Sequence, residues 1–506
     1  MASTVDSPAG TRVEQLDVVI VGAGISGVGA ACYLASRLPQ KSFAILEERE
    51  CSGGTWDLFR YPGIRSDSDL HTYAYAFKPW LRDEAIADGP AILAYLREAA
   101  RENGVDEHIR YRQRVLSASW SSENARWTVN VQPADGEAFI VQCSWLFIAA
   151  GYFRYDQGYL PHFEGLEQFA GPVVHPQHWP EDLDYAGRRV VIIGSGATAV
   201  TLLPAMAERA AHVTMLQRSP SYIISLPRHD PIAGLLARVL PARRAYELTR
   251  RKNVWLQRNL YRLSRSRPGL VRRLLRRGVE RRLPPDFDVD THFTPTYDPW
   301  DQRLCAVPDG DMFAAISEGR ASVVTDHISR FTETGILLES GNELPADIVV
   351  TATGLDLQAL GGIDVDVDGV PVDLADSLVY KSAMLSDVPN LAFVFGYTNS
   401  SWTLKVDLVC DYVCRVIAFM DERRYDACVP TNGDPQMQTR PFLDFSAGYV
   451  QRALDRFPRQ GTGPWEVLMS YRDDVRRLRD GAVDDGVLRF SRAAVPADTV
   501  LAGDPS

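Results

Sequence analysis

Long apolar runs are missing from this 506-residue chain. The longest, such as Trp145 to Ala150, have the length of a strand and fall far short of a bilayer span, so no transmembrane helix is expected. Met1 to Leu16 is small and polar and lacks the apolar centre of a secretory leader. Cysteine is scarce. Seven residues, an odd number without framework spacing, exclude a disulfide scaffold and point to a reducing, cytoplasmic compartment. Cys410 and Cys414 lie one helical turn apart and read as core-facing thiols rather than a redox pair. The nine histidines are scattered, and no His/Cys cluster has metal-ligand spacing. Surplus positive charge is absent as well. A formal net charge of -11 gives no general reason to expect nucleic acid as a partner.

What remains is a globular composition, 45% hydrophobic and 24% charged, on a chain long enough for roughly three domain-sized units. Two stretches carry the same design. Leu16 to Gly27 (LDVVIVGAGISG) is a β-branched run that ends in G-x-G-x-x-G and opens an Ala-rich helical segment. Gly22 permits the tight turn, Gly24 lets a pyrophosphate approach the backbone, and Gly27 allows the helix to pack closely on the strand. Ser26 lies inside the loop, and the helix N-terminus offers N–H groups to phosphate. A second strand, Phe43 to Leu46, ends at Glu47, about 25 residues beyond the first glycine, where an acid receives ribose hydroxyls.

Arg189 to Ala199 (RVVIIGSGATA) repeats the arrangement with Gly194, Ser195, Gly196, Ala197 and Thr198 in the loop. Here the acid is missing, and Gln217, Arg218 and Ser219 stand in its place. A carboxylate repels a 2′-phosphate whereas Arg218 pairs with one; the alternative is a solvated surface arginine. The first site therefore suits FAD and the second NADPH. Two further buried-type strands, Trp145 to Gly151 and Ile348 to Gly354, return the chain across each unit and end in glycine beside the cofactor. A disulfide reductase needs two closely spaced cysteines after the ribose acid, and only Cys51 lies there.

Between the two units, Phe169 to Pro180 matches F-x-G-x-x-x-H-x-x-x-W-P through Phe169, Gly171, His175, Trp179 and Pro180. Upstream, Gly53, Gly54, Trp56, Tyr61, Pro62, Gly63 and Asp67 match G-G-x-W-x-x-x-x-Y-P-G-x-x-x-D. With these patterns the chain resembles the Baeyer–Villiger monooxygenases, class B flavoprotein monooxygenases. Within them it is most similar to the actinobacterial enzymes that activate thioamide prodrugs such as ethionamide. Asp57 to Asp69, His175 to Tyr185, Pro299 to Cys305 and Gly396 to Lys405 carry that similarity.

The resemblance implies an NADPH-consuming enzyme that forms a C4a-peroxyflavin with O2. Such an enzyme inserts oxygen beside a ketone carbonyl, giving an ester or lactone, and oxidises the sulfur of thioethers or thioamides. A restriction to S- or N-oxidation is the alternative. It further implies Arg303 as the fixed cation that stabilises negative oxygen, oriented by Asp67. Gln302 departs from many relatives, which place a lysine there against the 2′-phosphate. Phe169, Gly171, His175, Trp179 and Pro180 read as a hinge that couples domain rotation to cofactor position. Gly54, Thr55 and Gly354 border the cofactors. Trp56 and Tyr61 either pack along the flavin or serve as core aromatics, and Trp402 is placed in the substrate cavity.

The expected fold is α/β, with two Rossmann-like dinucleotide-binding domains (FAD and NADP) and a helical insertion in the NADP domain. The FAD domain takes residues 1–150 and 391–506, the NADP domain 151–225 and 301–390, and the insertion 226–300. That insertion is rich in arginine. It reads as the solvated face of helices, with peripheral contact to a membrane or an acidic partner as the alternative.

Overall fold

Two sheets with parallel cores, each begun by a β-branched strand that runs into a glycine turn, organise the computed structural model, which describes residues 3–6, 12–302, 304–443 and 448–493. In the first, Arg12–Val21 lies between Phe43–Leu46 and Phe139–Ile148, parallel to both. Val18 to Val21 are all buried, as a strand with both faces covered requires. Helices Ile25–Arg37 and Trp402–Arg423 pack on each other over one face. Phe139–Ile148 serves two neighbourhoods. Its first half pairs antiparallel with Arg126–Pro133, and its end pairs parallel with Leu391–Phe393, which brings the C-terminal part back into the first unit. Cys410 and Cys414 are buried in this core, and burial pushes the Cys414 thiol up to about 12, so they sit there as unreactive thiols.

The second sheet has five parallel strands in the order Ala321–Thr325, His212–Gln217, Arg189–Ile193, Ile348–Thr351, Val173–Val174. Strands Ile223–Leu226 and Cys305–Pro308 pair parallel and bracket the insertion, whose helices are Pro231–Val239, Ala242–Ser266, Pro268–Glu280 and Val289–Phe293. Helices thus fill the stretch between these two strands.

One boundary differs from the sequence reading. The second unit was expected to run to 390, yet Asp364–Val367 already pairs with Gln113–Ser121 at the edge of the first sheet. The strand is short and alternates acid with valine, so only Val365 carries a strong burial signal. The chain therefore crosses back near Leu355–Leu357. That crossing pairs antiparallel with Phe153–Gly158, the strand that leaves the first unit. Both connections thus run together as one ribbon.

Candidate dinucleotide sites and the hinge between them

Each glycine turn is pinned by the strand that returns beside it. Gly22 has φ 97°, and a Cβ there would lie 2.8 Å from the Ala149 carbonyl oxygen; Gly194 has φ 133°, with the Ala352 oxygen at 2.4 Å. Gly27 leaves still less space, because a Cβ would fall 1.8 Å from the Gly22 oxygen. The second loop takes Ala199, fully buried, in the corresponding place. Helices Gly89–Glu102 and Pro231–Val239 are capped by Asp88 and Asp230, but those opened by Gly24 and Gly196 have no side-chain cap. Their first N–H groups are left for an anionic ligand, and at Gly196 a Cβ would meet nothing within 4 Å. A dinucleotide pyrophosphate fits that donor set at both turns.

Glu47 stands at the tip of its strand, 6% exposed, and accepts from Ala23 N–H at 2.6 Å and Arg49 N–H at 3.0 Å. It stiffens the first loop while its remaining lone pairs stay available to ribose hydroxyls. Burial holds its carboxyl above the usual range, against the pull of the two backbone donors. Gly54 comes so close to Gly24 that a Cβ on it would lie 2.9 Å from the Gly24 Cα. Thr55 begins the short helix Thr55–Leu58, and the Trp56 indole N–H donates to the Tyr73 hydroxyl at 2.7 Å.

The Tyr61 segment does something the sequence did not disclose. Tyr61 belongs to the core of the second unit, where its hydroxyl bonds the Thr198 side chain. Gly63, at φ 76°, fits against Thr201 and Ala205 of the helix Ala197–Ala207. Arg65 pairs with Asp311, and Arg60 with Glu181. The upstream motif therefore forms an inter-domain strap, in which Tyr61 sits as a core aromatic. Asp67 follows it, exposed, within electrostatic reach of Tyr61 and Tyr73. Arg303 lies outside the described residues. Its neighbours are held: Asp301 pairs with Arg265 of the insertion, and Gln302 bridges to Pro299.

In the second loop, the Ser195 hydroxyl donates to the Ser219 carbonyl at 3.1 Å and lies 2.9 Å from the Ser221 hydroxyl. The structure so joins the glycine turn to the Arg218-Ser219 segment. Gln217 is buried and structural, donating to the His292 carbonyl and to Thr325. Arg218 is exposed and has no ion pair among the described residues. Arg218→Ala is expected to raise the KM for NADPH roughly tenfold, the loss of one charge-assisted bond, and to leave that for NADH unchanged. Equal shifts in both would place 2′-phosphate recognition elsewhere.

The fingerprint residues meet at the ribbon. His175 Nε2–H donates to the Gly354 carbonyl at 3.2 Å, and its Nδ1 accepts from Gln177 N–H at 3.2 Å. Its ring occupies the space that a Cβ on Gly158 would need, 1.9 Å away. The Gln177 amide donates to the Arg154 and Tyr155 carbonyls at 2.7 and 3.1 Å. His175 and Gln177 therefore clamp both crossings at once. Phe169 is buried beside Phe331, Gly171 fits under the Asp347 carbonyl, and Trp179 packs on the second core while Pro180 is exposed. Gln177 was not singled out from sequence, because it occupies a variable position of the pattern. Gly354, read as a cofactor neighbour, carries the acceptor of the clamp.

Burial holds His175 below its ordinary value of 6.5. A histidine with a depressed folded value stabilises the fold above about pH 6.5 and loses that contribution as pH falls. The stability difference between the wild type and His175→Asn should therefore shrink below about pH 6. A difference that stays constant from pH 8 to about pH 5 would show that protonation does not open the clamp.

Trp402 lies over the first glycine turn. Its indole N–H donates to the Ser26 hydroxyl at 3.0 Å, and its ring stacks on Tyr152 with centroids 5.2 Å apart. A small apolar cavity opens beyond Tyr152, lined also by Ile148, Phe393, Phe395 and Phe442.

Residues 85–359 match the family described as flavin-binding monooxygenase-like, and residues 20–83 match the NAD(P)-binding Rossmann-like domain. The FAD-containing monooxygenase EthA of Mycobacterium tuberculosis is 53% identical, covering 96% of this chain and 99% of its own. The probable FAD-binding monooxygenase AlmA of Acinetobacter baylyi is 48% identical, covering 95% and 97%. Oxidized steroid monooxygenase bound to NADP superposes with a TM-score of 0.73 at 23% identity, covering 94% of this chain and all of that one. Cyclohexanone monooxygenase in its open form gives 0.73 at 19%, covering 94% and 99%. At that distance the structures establish the fold: a mixed α/β chain with paired Rossmann-like units. Sequence relatives at half identity over nearly their whole length establish more, and this chain belongs to the flavin-binding monooxygenase-like family, an FAD- and NADP-dependent flavoprotein monooxygenase.

Proposed function

We propose that this monooxygenase is of the Baeyer–Villiger type, inserting one atom of O2 beside a ketone carbonyl and also oxidising the sulfur of thioethers or thioamides. The observation that carries this reading is the fingerprint segment, whose His175 and Gln177 grip both strands of the only ribbon seen to join the two units among the described residues. Two cofactors that would have to act in turn at one site need the two units to shift on a governed hinge. The balance is ketone plus O2, NADPH and a proton giving ester, NADP+ and water.

Bound FAD supplies the activation of O2. The protein's part is to hold and shield. The uncapped turns at Gly24 and Gly196 would hold the two pyrophosphates, Glu47 the ribose of the adenosine half of FAD, and Arg218 with Ser219 the 2′-phosphate. Arg303 is assigned the fixed positive charge that stabilises negative oxygen, with Asp67 orienting it. Incubation with NADPH and a panel of linear and aryl ketones and sulfides tests the assignment. Ester formation coupled to NADPH consumption is expected; efficient sulfoxide formation with no ester would make the protein an S-oxidising flavin monooxygenase instead.

A further inference from the structure

The arginine-rich insertion presents an outer surface that a solvated face does not explain. Of the fourteen large apolar side chains exposed among the described residues, eight lie between Ile232 and Leu274. Two helices carry most of them. On Pro231–Val239, Ile232, Leu235 and Val239 are 50%, 60% and 67% exposed and recur at helical spacing, so they share one face. On Ala242–Ser266, Leu248, Trp255 and Leu256 are exposed at 44%, 61% and 49%. The two helices pack against each other, and Lys252 ties the second to Asp230 at the start of the first.

The longer helix has two faces with different duties. Tyr246, Arg250, Asn253 and Gln257 point inward, to His71, Thr72, Asp69 and Asp407 of the first unit. Arg244, Leu248, Arg251, Trp255 and Arg262 form the opposite stripe, at i, i+4, i+7, i+11 and i+18. Charge is just as lopsided. From 231 to 279 the chain has fourteen Lys or Arg and a single acid, Glu247, whereas the whole protein carries -11. Arg238, Arg244, Arg251, Arg258 and Arg262 make no ion pair among the described residues. Unpaired arginines beside exposed leucines and an exposed tryptophan are the composition of a helix lying in a headgroup layer, where long stems follow the apolar depth and guanidinium groups reach phosphate. No described helix is long and apolar enough to cross a membrane.

We propose that helices Pro231–Val239 and Ala242–Ser266 dock this enzyme peripherally on anionic lipid. Charge complementarity selects that occupant: a strongly positive, apolar-centred surface on an acidic protein is attracted to a negative headgroup layer and is poorly suited to a neutral one. Docking would place the inner face of the same helix, with its bonds to Asp69 and Thr72, one helix diameter from the lipid.

The test is cosedimentation of the full-length flavoprotein with vesicles of phosphatidylcholine alone, or with about a third phosphatidylserine added. Binding to the anionic vesicles only, released as salt rises, is expected. Replacing Arg244, Arg251 and Arg262 by Gln should weaken it on the order of a hundredfold, about fivefold per arginine. Trp255→Glu should abolish it, with flavin content and NADPH oxidation unchanged in both variants. Protein that stays in the supernatant at low salt, equal binding to both lipids, or variants that bind like wild type would each overturn the proposal. So would sedimentation velocity showing that this surface instead joins two copies, with dimer in the wild type and monomer in Trp255→Glu.

Discussion

Gly27→Ala is expected to yield protein with less than about a tenth of the normal flavin content, because the added methyl has nowhere to go. Its Cβ would sit 1.8 Å from the Gly22 carbonyl oxygen, a backbone atom that cannot rotate aside. Gly22 cannot retreat, since its own position is bounded by the Ala149 carbonyl oxygen, 2.8 Å from where a Cβ would stand. The strain must therefore be relieved by moving the start of helix Ile25–Arg37 away from the strand, and with it the uncapped N–H groups. Those groups act on phosphate only at hydrogen-bond distance, so a shift of an ångström removes most of their effect. Trp402 bonds Ser26 in the same turn, so the displacement also disturbs the stack on Tyr152. Gly196→Ala is the matched control: its Cβ meets nothing within 4 Å, so folding and flavin content should stay normal while NADPH binding weakens. Visible flavin absorbance per mole of purified protein reads the result. Full flavin loading of Gly27→Ala would mean that the close approach is not required for binding.

The two glycine turns were legible in the sequence because their constraints are local. A β-branched run, three small residues at fixed spacing and a returning strand that ends in glycine describe most of each turn, and the structure adds the carbonyls of Ala149 and Ala352 that enforce them. The insertion was legible as helix for the same reason. Tyr61, Gly63 and Arg65 show where that ends. Nothing within their own segment says that their partners, Thr198, Ala205 and Asp311, lie in another unit more than a hundred residues away. Gln177 is a similar case, because its amide reads backbone carbonyls at 154 and 155, and backbone carbonyls leave no mark on a sequence. The early return at Asp364–Val367 is not legible because one buried valine in a four-residue strand is a weak signal. The basic stretch is legible only in part. Periodicity identified helices, but which apolar residues they leave uncovered depends on what the inner face binds.

That inner face also sets the largest stability effect expected outside the cofactor turns. Arg250 reaches from the insertion into the first unit, where its guanidinium donates to the carbonyls of His71 and Ala74 at 3.1 and 2.7 Å and to Asp407 at 3.2 Å. Asp407 is 1% exposed and also accepts from Tyr33 O–H and Ala76 N–H. Burial nevertheless pushes its carboxyl up to about 6 from an ordinary 3.8. Arg250→Met keeps the volume and removes the charge. It leaves a buried carboxylate without its cation and two carbonyls without a donor, and should cost about 3–5 kcal/mol. The sign of the pH dependence follows. A carboxyl whose folded value is raised favours the fold below its ordinary value and loses that contribution as pH rises through the folded one. Without the arginine the folded value climbs further, so the variant should be least impaired near pH 4 and increasingly impaired toward pH 8, as denaturant midpoints across that range would show. Asp407→Asn added to Arg250→Met removes the stranded charge and should recover part of the loss at pH 8. A double variant no more stable than the single one there would mean that the lost carbonyl contacts, not the charge, account for the effect.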